Sequence, residues 1–293
     1  MQRMQRAGLI SPERHFGLEC LRIETRHSAA IVALHGGQLL SWVPHGERDV
    51  LWRSRVMLSP PKALRGGVPL CWPWFGGQGP DGSPAHGVAR TSQWEVVHVA
   101  DNSPSSVKLT LRPRPESAAA RDHHLSVTTT ILIAEKLTQT VTTHNVGQAP
   151  FALTQALHSY LAVGDASRIG IDGIRGAVYL DKLTGAQRKL QTEAFKPDTA
   201  CDRIYCDTAG RYSLNDPVWR RSILIESAGS HALVVWNPGA DISKTISDLE
   251  PDAWRDFYCV EVANAGPDAI VLAPGASHQL TQTISLQPWP AAV

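Results

Sequence analysis

One segment of the sequence combines side chains that could bind a small polar molecule. Residues 65–94 contain three tryptophans, two Gly-Gly pairs and several prolines, with Arg65 at the start and Arg90 near the end. Tryptophan rings suit the apolar C–H face of a sugar. An arginine pair gives bidentate, permanently charged contacts to an anion. The composition therefore predicts a binding loop for a sugar that carries a negative charge.

The backbone chemistry of this segment predicts an ordered but irregular loop. Proline fixes φ and removes a hydrogen-bond donor, whereas glycine permits positive φ and close backbone approach. Long loops of this kind in compact domains are usually functional or disordered, and the tryptophans argue against disorder. The alternative is a hydrophobic plug that closes one end of a sheet, with its arginines on the surface.

Three other polar residues could belong to the same site. Glu261 lies in the strand-like sequence CysValGluVal, so it is either buried with a partner or presented to a pocket. His158 lies in the apolar run 152–163, where a lone histidine is more often a core or rim residue than a catalyst. Asp202 could face the pocket, or it could form a surface salt bridge or a turn cap.

Period-two alternation of apolar residues predicts that strands position these side chains. The clearest runs are residues 124–133 and 137–145, and residues 30–43 predict a hairpin around a Gly-Gly turn. A helix is expected within residues 241–256, where a proline keeps it short. Turn signals recur at short intervals, which favours a large antiparallel β-sandwich with few short helices over βαβ units.

The bulk properties fit one all-β domain over residues 1–293, with residues 1–15 as a candidate flexible tail. A hydrophobic content of 43% can fill a core, and a net charge of +1 gives no field to attract nucleic acid or membranes. We expect no exported or membrane-spanning segment and a cytoplasmic monomer.

The histidines and cysteines argue against a metal site. The 12 histidines include no HxH or HExxH spacing, and the 5 cysteines are scattered without a CxxC pair. Reduced thiols are the expectation for such a set in a cytosol.

Several motifs, in order along the chain, resemble those of the hexose-6-phosphate mutarotases, or glucose-6-phosphate 1-epimerases. These belong to the aldose 1-epimerase (galactose mutarotase) superfamily. The matching motifs are RGGVPLCWPWFG, HGVARTSQWEV, LTQALHSYLAVGDASRIGIDG, DRIY, WNPG and FYCVEVANAG. Because they span nearly the whole chain, the resemblance extends to the fold, a galactose mutarotase-like supersandwich.

The resemblance implies interconversion of the α and β anomers of a hexose 6-phosphate, with glucose 6-phosphate as the expected substrate. Opening the hemiacetal needs a base at the C1 hydroxyl and an acid at the ring oxygen, and closure reverses both roles. By resemblance, Glu261 is the base and His158 is the acid. One acid and one base suffice, so neither a cofactor nor a metal is expected.

The resemblance also implies roles in substrate binding. Arg65 and Arg90 would hold the phosphate, and His86 would contact the ring oxygen or a sugar hydroxyl. Asp202 and Trp74 would complete the pocket. Relatives often carry a polar residue just before the His-Gly pair, where this chain has an alanine.

Two other functions remain open at the level of the sequence. An aldose 1-epimerase acting on unphosphorylated hexose would use the same acid–base pair without needing the arginine pair. A non-catalytic carbohydrate-binding module would keep the tryptophans and tolerate the loss of Glu261 and His158.

Overall fold

The computed structural model describes residues 9–77, 79, 82–121, 124–197 and 200–289. Of the expected flexible tail, residues 1–8 lie outside this description. Ile10–His15, the rest of that tail, instead forms a strand that pairs antiparallel with the next one. The prediction of a flexible tail up to residue 15 is therefore wrong for residues 10–15, which form a strand.

The described chain is dominated by strands. Those of the first half are β1 (Ile10–His15), β2 (Leu18–Glu24), β3 (Ser28–Ala33), β4 (Gln38–Pro44), β5 (Leu70–Cys71), β6 (Trp94–Asn102), β7 (Ser106–Pro113), β8 (Leu125–Ile133), β9 (Leu137–Asn145), β10 (Phe151–Leu153), β11 (Gln155–Leu157) and β12 (Tyr160–Ala162). Those of the second half are β13 (Gly170–Asp172), β14 (Val178–Asp181), β15 (Gln187–Leu190), β16 (Cys201–Cys206), β17 (Arg211–Asp216), β18 (Arg221–Ala228), β19 (Ala232–Asn237), β20 (Phe257–Asn264), β21 (Ile270–Leu272) and β22 (Ser277–Gln287).

Helical structure in the described residues is short. It comprises the α-helix α1 (Gly239–Ser243) and the 3-10 segments Ala89–Thr91, Ala166–Arg168, Lys182–Thr184, Ala253–Arg255 and Gly266–Asp268. The helix expected within residues 241–256 is thus a five-residue helix that begins at Gly239 and ends at Ser243. No helix among the described residues is long and apolar enough to cross a bilayer.

The strands form two large sheets and two small ones, and the named strands pair antiparallel throughout. One eight-stranded sheet has the order β13-β17-β18-β22-β9-β8-β7-β6. The other has the order β15-β14-β16-β19-β20-β11-β5, with β12 also on β20. A four-stranded sheet, β1-β2-β3-β4, and the pair β10-β21 complete the fold. The predicted antiparallel β-sandwich is confirmed.

A single large apolar cluster joins the sheets. It includes Leu21 of β2, Leu39 of β4, Val127 of β8, Val235 of β19 and Ile284 of β22, all buried. Full burial of one such side chain stabilises the fold by about 1.5–3 kcal/mol. The core therefore draws on strands from both ends of the described chain.

The strongest sequence patterns correspond to observed strands. The runs at 124–133 and 137–145 form β8 and β9, in which buried and partly exposed residues alternate. The hairpin at 30–43 forms β3 and β4. Residues 49–52, just after this hairpin, differ from it in forming no strand, and Leu51 makes an isolated bridge to Leu161.

The side chain of Asp49 explains that difference. Its Oδ1 accepts hydrogen bonds from the backbone N–H of Trp42 at 3.1 Å and of Leu51 at 3.0 Å. A side-chain acceptor of this kind competes with the strand-to-strand ladder for backbone donors.

Glycines bring the loop of residues 65–94 into close contact with neighbouring backbone. A Cβ on Gly67, at φ +62°, would lie 2.1 Å from the Leu39 carbonyl oxygen. A Cβ on Gly87, at φ +76°, would lie 2.0 Å from the Trp72 carbonyl oxygen. Trp72 is itself buried, and its Nε1 donates to Thr143 Oγ1 at 2.9 Å. Gly67 therefore lets the loop pack onto β4, and Gly87 lets two parts of the loop pack against each other.

Gly87→Ala should destabilise the fold more than an alanine at an equally left-handed but open position. A left-handed alanine costs about 1–2 kcal/mol, and the clash with Trp72 adds to that at Gly87. Gly46, at φ +82°, has nothing within 4 Å of its Cβ position, so Gly46→Ala is the matched control. Urea denaturation measures both free energies of unfolding, and equal losses would contradict the close approach.

Candidate functional site

The central strand β20 places Glu261 directly opposite His158. Two backbone pairs flank the position: Leu157 with Val262, and Tyr160 with Cys259. The register between them makes His158 and Glu261 cross-strand neighbours, which share one face of a sheet. Their side chains meet, with His158 Nε2 3.4 Å from Glu261 Oε1.

The face of the sheet that carries His158 and Glu261 also carries Asp202, which lies beside Lys182. Asp202 of β16 pairs with Trp236 of β19, which pairs in turn with Cys259 of β20. On the other side of β16, the pairing of Asp181 with Arg203 brings the next residue, Lys182, beside Asp202. Lys182 Nζ lies 3.4 Å from Asp202 Oδ2.

A cavity of about 190 Å³ lies over this face. Six of the residues predicted from the sequence line it: Arg65, His86, Arg90, His158, Asp202 and Glu261. Four lining residues were not predicted: Phe75, Lys182, Val234 and Trp236.

Two of the missed residues had a usable signal. Trp236 begins the WNPG motif, and alternation along β19 puts Val234 on the same face. The sequence around Lys182 carries no comparable signal, because the side chain reaches the site through the pairing of β14 with β16.

Trp74, expected in the binding site, does not line the cavity. Its Nε1 donates to the Pro84 carbonyl oxygen at 3.0 Å. A Cβ on Gly79 would lie 2.2 Å from the Trp74 ring, so the ring packs against the backbone of its own loop. The next residue, Phe75, lines the cavity instead, and its backbone N–H donates to Thr154 Oγ1 at 2.9 Å.

Burial shifts the acid–base pair towards its uncharged forms. The side chain of Glu261 is 1% exposed and that of His158 is 9% exposed. Burial, assisted by the charge of Asp202, raises the pKa of Glu261 well above its ordinary value. Burial, assisted by the neighbouring His86, Arg90 and Arg65, lowers the pKa of His158 well below its ordinary value. Neither group is held permanently charged.

His86 is held in a strained backbone conformation beside His158. Its φ is +61°, in the left-handed region that histidine adopts more readily than most residues. Its ring lies 5.0 Å from that of Phe75 and 5.8 Å from that of His158, measured between centroids. Burial and the positive charges of Arg90 and Lys182 lower the pKa of His86 to about 3. His86 is therefore a neutral imidazole that can exchange hydrogen bonds with a ligand.

Arg65 is anchored by two buried partners. Its Nε donates to Asp248 Oδ1 at 3.1 Å, its Nη2 lies 3.0 Å from the same oxygen in an ion pair, and its Nη1 donates to Tyr160 Oη at 2.9 Å. Its side chain remains 24% exposed towards the cavity. The remaining N–H groups of a guanidinium held in this way can receive an anion.

Arg90 and Lys182 add two more cations to the cavity wall. Arg90 Nη2 donates to the Ala85 carbonyl oxygen at 2.8 Å, so the backbone of Ala85 takes part although its side chain is apolar. Arg90 Nε and Glu261 Oε2 are buried and have no hydrogen-bond partner in the part of the chain that the structure describes. Both atoms can therefore bond to a ligand.

One cluster in the described residues has the donor types of a metal site. Donor atoms of His158, Cys259 and Glu261 lie within 4.8 Å of one another. Burial raises the pKa of the Cys259 thiol well above its ordinary value, which keeps it a poor metal ligand. The cationic side chains on the cavity wall oppose a metal cation and favour an anion. The arrangement suits proton transfer next to an anion better than metal binding.

Comparison with known proteins decides the family. A family model described as aldose 1-epimerase matches residues 19–285. The chain belongs to the aldose 1-epimerase family. A protein of Escherichia coli K12 named "Putative glucose-6-phosphate 1-epimerase" is 32% identical over 271 residues, covering 91% of this chain and 90% of its own length. A Salmonella typhimurium protein of the same name is 34% identical over 252 residues, covering 85% and 84%.

A solved structure has the same architecture. The crystal structure of a putative mutarotase from Salmonella typhimurium superposes with a TM-score of 0.88 at 28% identity. The match covers 97% of this chain and 96% of that one. The resemblance read from the sequence motifs is confirmed.

In this aldose 1-epimerase, burial of Glu261 should lower stability as the pH rises. The pKa of Glu261 in the folded protein lies above the ordinary 4.5 of the unfolded chain. Between these two values the folded state holds a proton that the unfolded state has released, so the free energy of unfolding falls with rising pH. Glu261→Gln should remove that fall.

The stability gained by Glu261→Gln over wild type should therefore grow above pH 4.5. The growth should reach at most about 1.4 kcal/mol per pH unit. Chemical denaturation at several pH values measures the difference, with the exposed Glu135→Gln as control. A gain that does not change with pH would contradict the raised pKa.

Proposed function

We propose that the protein interconverts the α and β anomers of a hexose 6-phosphate, glucose 6-phosphate being the expected substrate. The observation that carries this proposal is the contact of 3.4 Å between His158 and Glu261 in a cavity whose wall includes Arg65, Arg90 and Lys182. An acid–base pair provides the ring-opening chemistry, and the cations provide a place for the phosphate.

The protonation of the pair matches what ring opening needs. Protonated Glu261 with neutral His158, and carboxylate with imidazolium, contain the same number of protons. They differ by one proton transfer between atoms 3.4 Å apart. The opposed pKa shifts, both caused chiefly by burial, favour the uncharged arrangement over the ion pair. The charged form supplies the base and the acid together.

The reaction then runs through an open-chain aldehyde. The Glu261 carboxylate takes the C1 hydroxyl proton, the C1 oxygen forms a carbonyl, and the bond from C1 to the ring oxygen breaks. The His158 imidazolium protonates the departing ring oxygen. After rotation about C1–C2, His158 takes that proton back, the ring oxygen attacks the other carbonyl face, and Glu261 returns its proton to the C1 oxygen.

The order of the strands supports one orientation of the substrate. Across the sheet the side chains follow in the order His158, Glu261, Asp202 and Lys182. In a hexose the phosphate-bearing C6 is attached next to the ring oxygen, so it extends past His158, towards Arg65. The hydroxyls of C2 and C3 then extend towards Asp202 and Lys182. His86, beside His158, would contact the ring oxygen or a hydroxyl.

The organisation of the chain is part of the proposal. We propose a single domain, supported by the core cluster that extends from Leu21 to Ile284. A cytoplasmic location is supported by the five cysteines, which are all buried and free. That the protein acts as a monomer stays a prediction.

Glu261→Gln and His158→Gln should each lose catalysis without losing the fold. Removal of one acid–base partner typically costs about 10²- to 10⁴-fold. The measurement is the rate at which pure α-glucose 6-phosphate relaxes to its anomeric equilibrium, followed by NMR exchange. Wild-type protein that gives no acceleration above the spontaneous rate, although it binds the sugar phosphate, would overturn the enzyme in favour of a binding module.

Arg90→Met and Lys182→Met should separate phosphate recognition from hydroxyl recognition. Loss of a hydrogen bond to a charged group is worth roughly 1.5–3 kcal/mol, or about tenfold or more. Arg90→Met should lower kcat/KM for glucose 6-phosphate by that factor and leave glucose unchanged. Lys182→Met should lower both alike.

Arg90→Met and Lys182→Met control for each other, because each replaces a cationic side chain by a neutral one of similar length. A loss confined to glucose 6-phosphate in Lys182→Met would reverse the orientation argued above. An equal loss on both sugars in Arg90→Met would remove Arg90 from the phosphate site.

A further inference from the structure

We propose that Tyr160 is a positioning residue that fixes the imidazole of His158 and the guanidinium of Arg65 relative to each other. This inference rests on the function proposed above. Tyr160 does not line the cavity, and no motif read from the sequence gave it a role beyond its place next to His158. Its ring contacts the His158 imidazole, and its hydroxyl contacts the Arg65 guanidinium.

The ring of Tyr160 sets the plane of the His158 imidazole. The two rings are stacked with their centroids 4.8 Å apart and their planes 9° from parallel. Tyr160 is 2% exposed and is enclosed by Trp52, Phe257 and Trp236, with centroids at 5.9, 5.2 and 6.2 Å. A ring packed on several sides by aromatic neighbours has little freedom to rotate, so it holds the imidazole that lies on it.

The hydroxyl of Tyr160 sets the position of Arg65. It accepts a hydrogen bond of 2.9 Å from Arg65 Nη1, while Asp248 holds Nε and Nη2. Because Nε and Nη2 both contact the single oxygen Asp248 Oδ1, a second anchor at Nη1 limits the tilt of the planar guanidinium about that contact. Burial raises the pKa of Tyr160, so the hydroxyl stays neutral and adds no negative charge to the cavity.

The backbone around Tyr160 is held as firmly as its side chain. Its N–H donates to the Gly67 carbonyl oxygen at 2.9 Å, and its own carbonyl oxygen accepts from the N–H of Trp52 at 2.9 Å. Gly67 lies two residues from Arg65, and the strand β12 that begins at Tyr160 pairs with β20. Tyr160 therefore connects the loop that carries Arg65 to the strand that carries Glu261.

A fixed spacing between Arg65 and His158 matters because both would contact the same substrate. The phosphate and the ring oxygen of a hexose 6-phosphate are separated by a short chain of covalent bonds. If Arg65 binds the phosphate, its position relative to His158 decides whether the acid reaches the ring oxygen. A misplacement of about 1 Å at such a contact can cost about 10²-fold in rate.

The test separates the two contacts of Tyr160. Tyr160→Phe keeps the ring and removes the hydroxyl. It should lower kcat for glucose 6-phosphate and raise its KM, so that kcat/KM falls by about tenfold or more, and it should leave kcat/KM for glucose unchanged. Tyr258→Phe is the matched control, because Tyr258 is also buried but packs with the core cluster on the other face of β20.

Tyr160→Leu removes the stacked ring as well. It should lower kcat on both sugars and raise the pKa of His158 towards its ordinary value, because water can then reach the imidazole. NMR titration of the His158 ring in the absence of substrate measures this shift, which should be missing in Tyr160→Phe and Tyr258→Phe. A variant that merely loosened the fold would lower stability without this selective pattern.

The outcomes distinguish this inference from the proposed function. If wild type relaxes glucose 6-phosphate but Tyr160→Phe behaves like Tyr258→Phe, with the same kcat and kcat/KM on the phosphorylated sugar, the positioning role is overturned. If Tyr160→Leu leaves the His158 titration unchanged, the stacking role is overturned. If wild type accelerates neither sugar, yet the His158 shift appears and Tyr160→Phe weakens binding of glucose 6-phosphate, the positioning role stands and the proposed reaction fails.

Discussion

The structure depends on the burial of a carboxyl group directly opposite an imidazole. Glu261 and His158 are cross-strand neighbours near the middle of a sheet, and both are almost completely removed from water. Burial opposes charge on each side chain. Each buried polar group therefore needs the other as its partner, so the contact between them must be kept. A looser pair would admit water and lose the opposed pKa shifts.

The antiparallel register of the strands places different side chains on the two sides of that pair, so the site has two different ends. Because β14, β16, β19, β20 and β11–β12 are adjacent, side chains far apart in sequence follow one another on one face of the sheet. Arg65 meets Tyr160 at the end of this row near His158, while Asp202 and Lys182 lie at the other. A hexose 6-phosphate has a matching polarity, with phosphate next to the ring oxygen at one end and only hydroxyls at the other. The fold class alone does not provide this correspondence; the register does.

Period-two alternation and the motifs were enough to predict the sandwich, and six of the residues named from the sequence line one cavity. Glu261 faces the cavity while its neighbours Val260 and Val262 enter the core, as strand geometry requires. Lys182 could not be found in the same way, because only the pairing of two non-consecutive strands brings it to Asp202. The choice between Trp74 and Phe75 also could not be read from the sequence. In an irregular loop no fixed period decides which of two adjacent aromatic residues faces a ligand.

The loop of residues 65–94 acts as one unit because of its glycines. Arg65, Phe75, His86 and Arg90 all come from this loop, yet they line a cavity whose floor belongs to β19 and β20. Gly67 and Gly87 let the loop backbone approach the Leu39 and Trp72 carbonyls more closely than any side chain would allow. The positions of the cations are thus set by backbone contacts outside the cavity. Substitutions at these glycines would therefore displace Arg65 and Arg90 together.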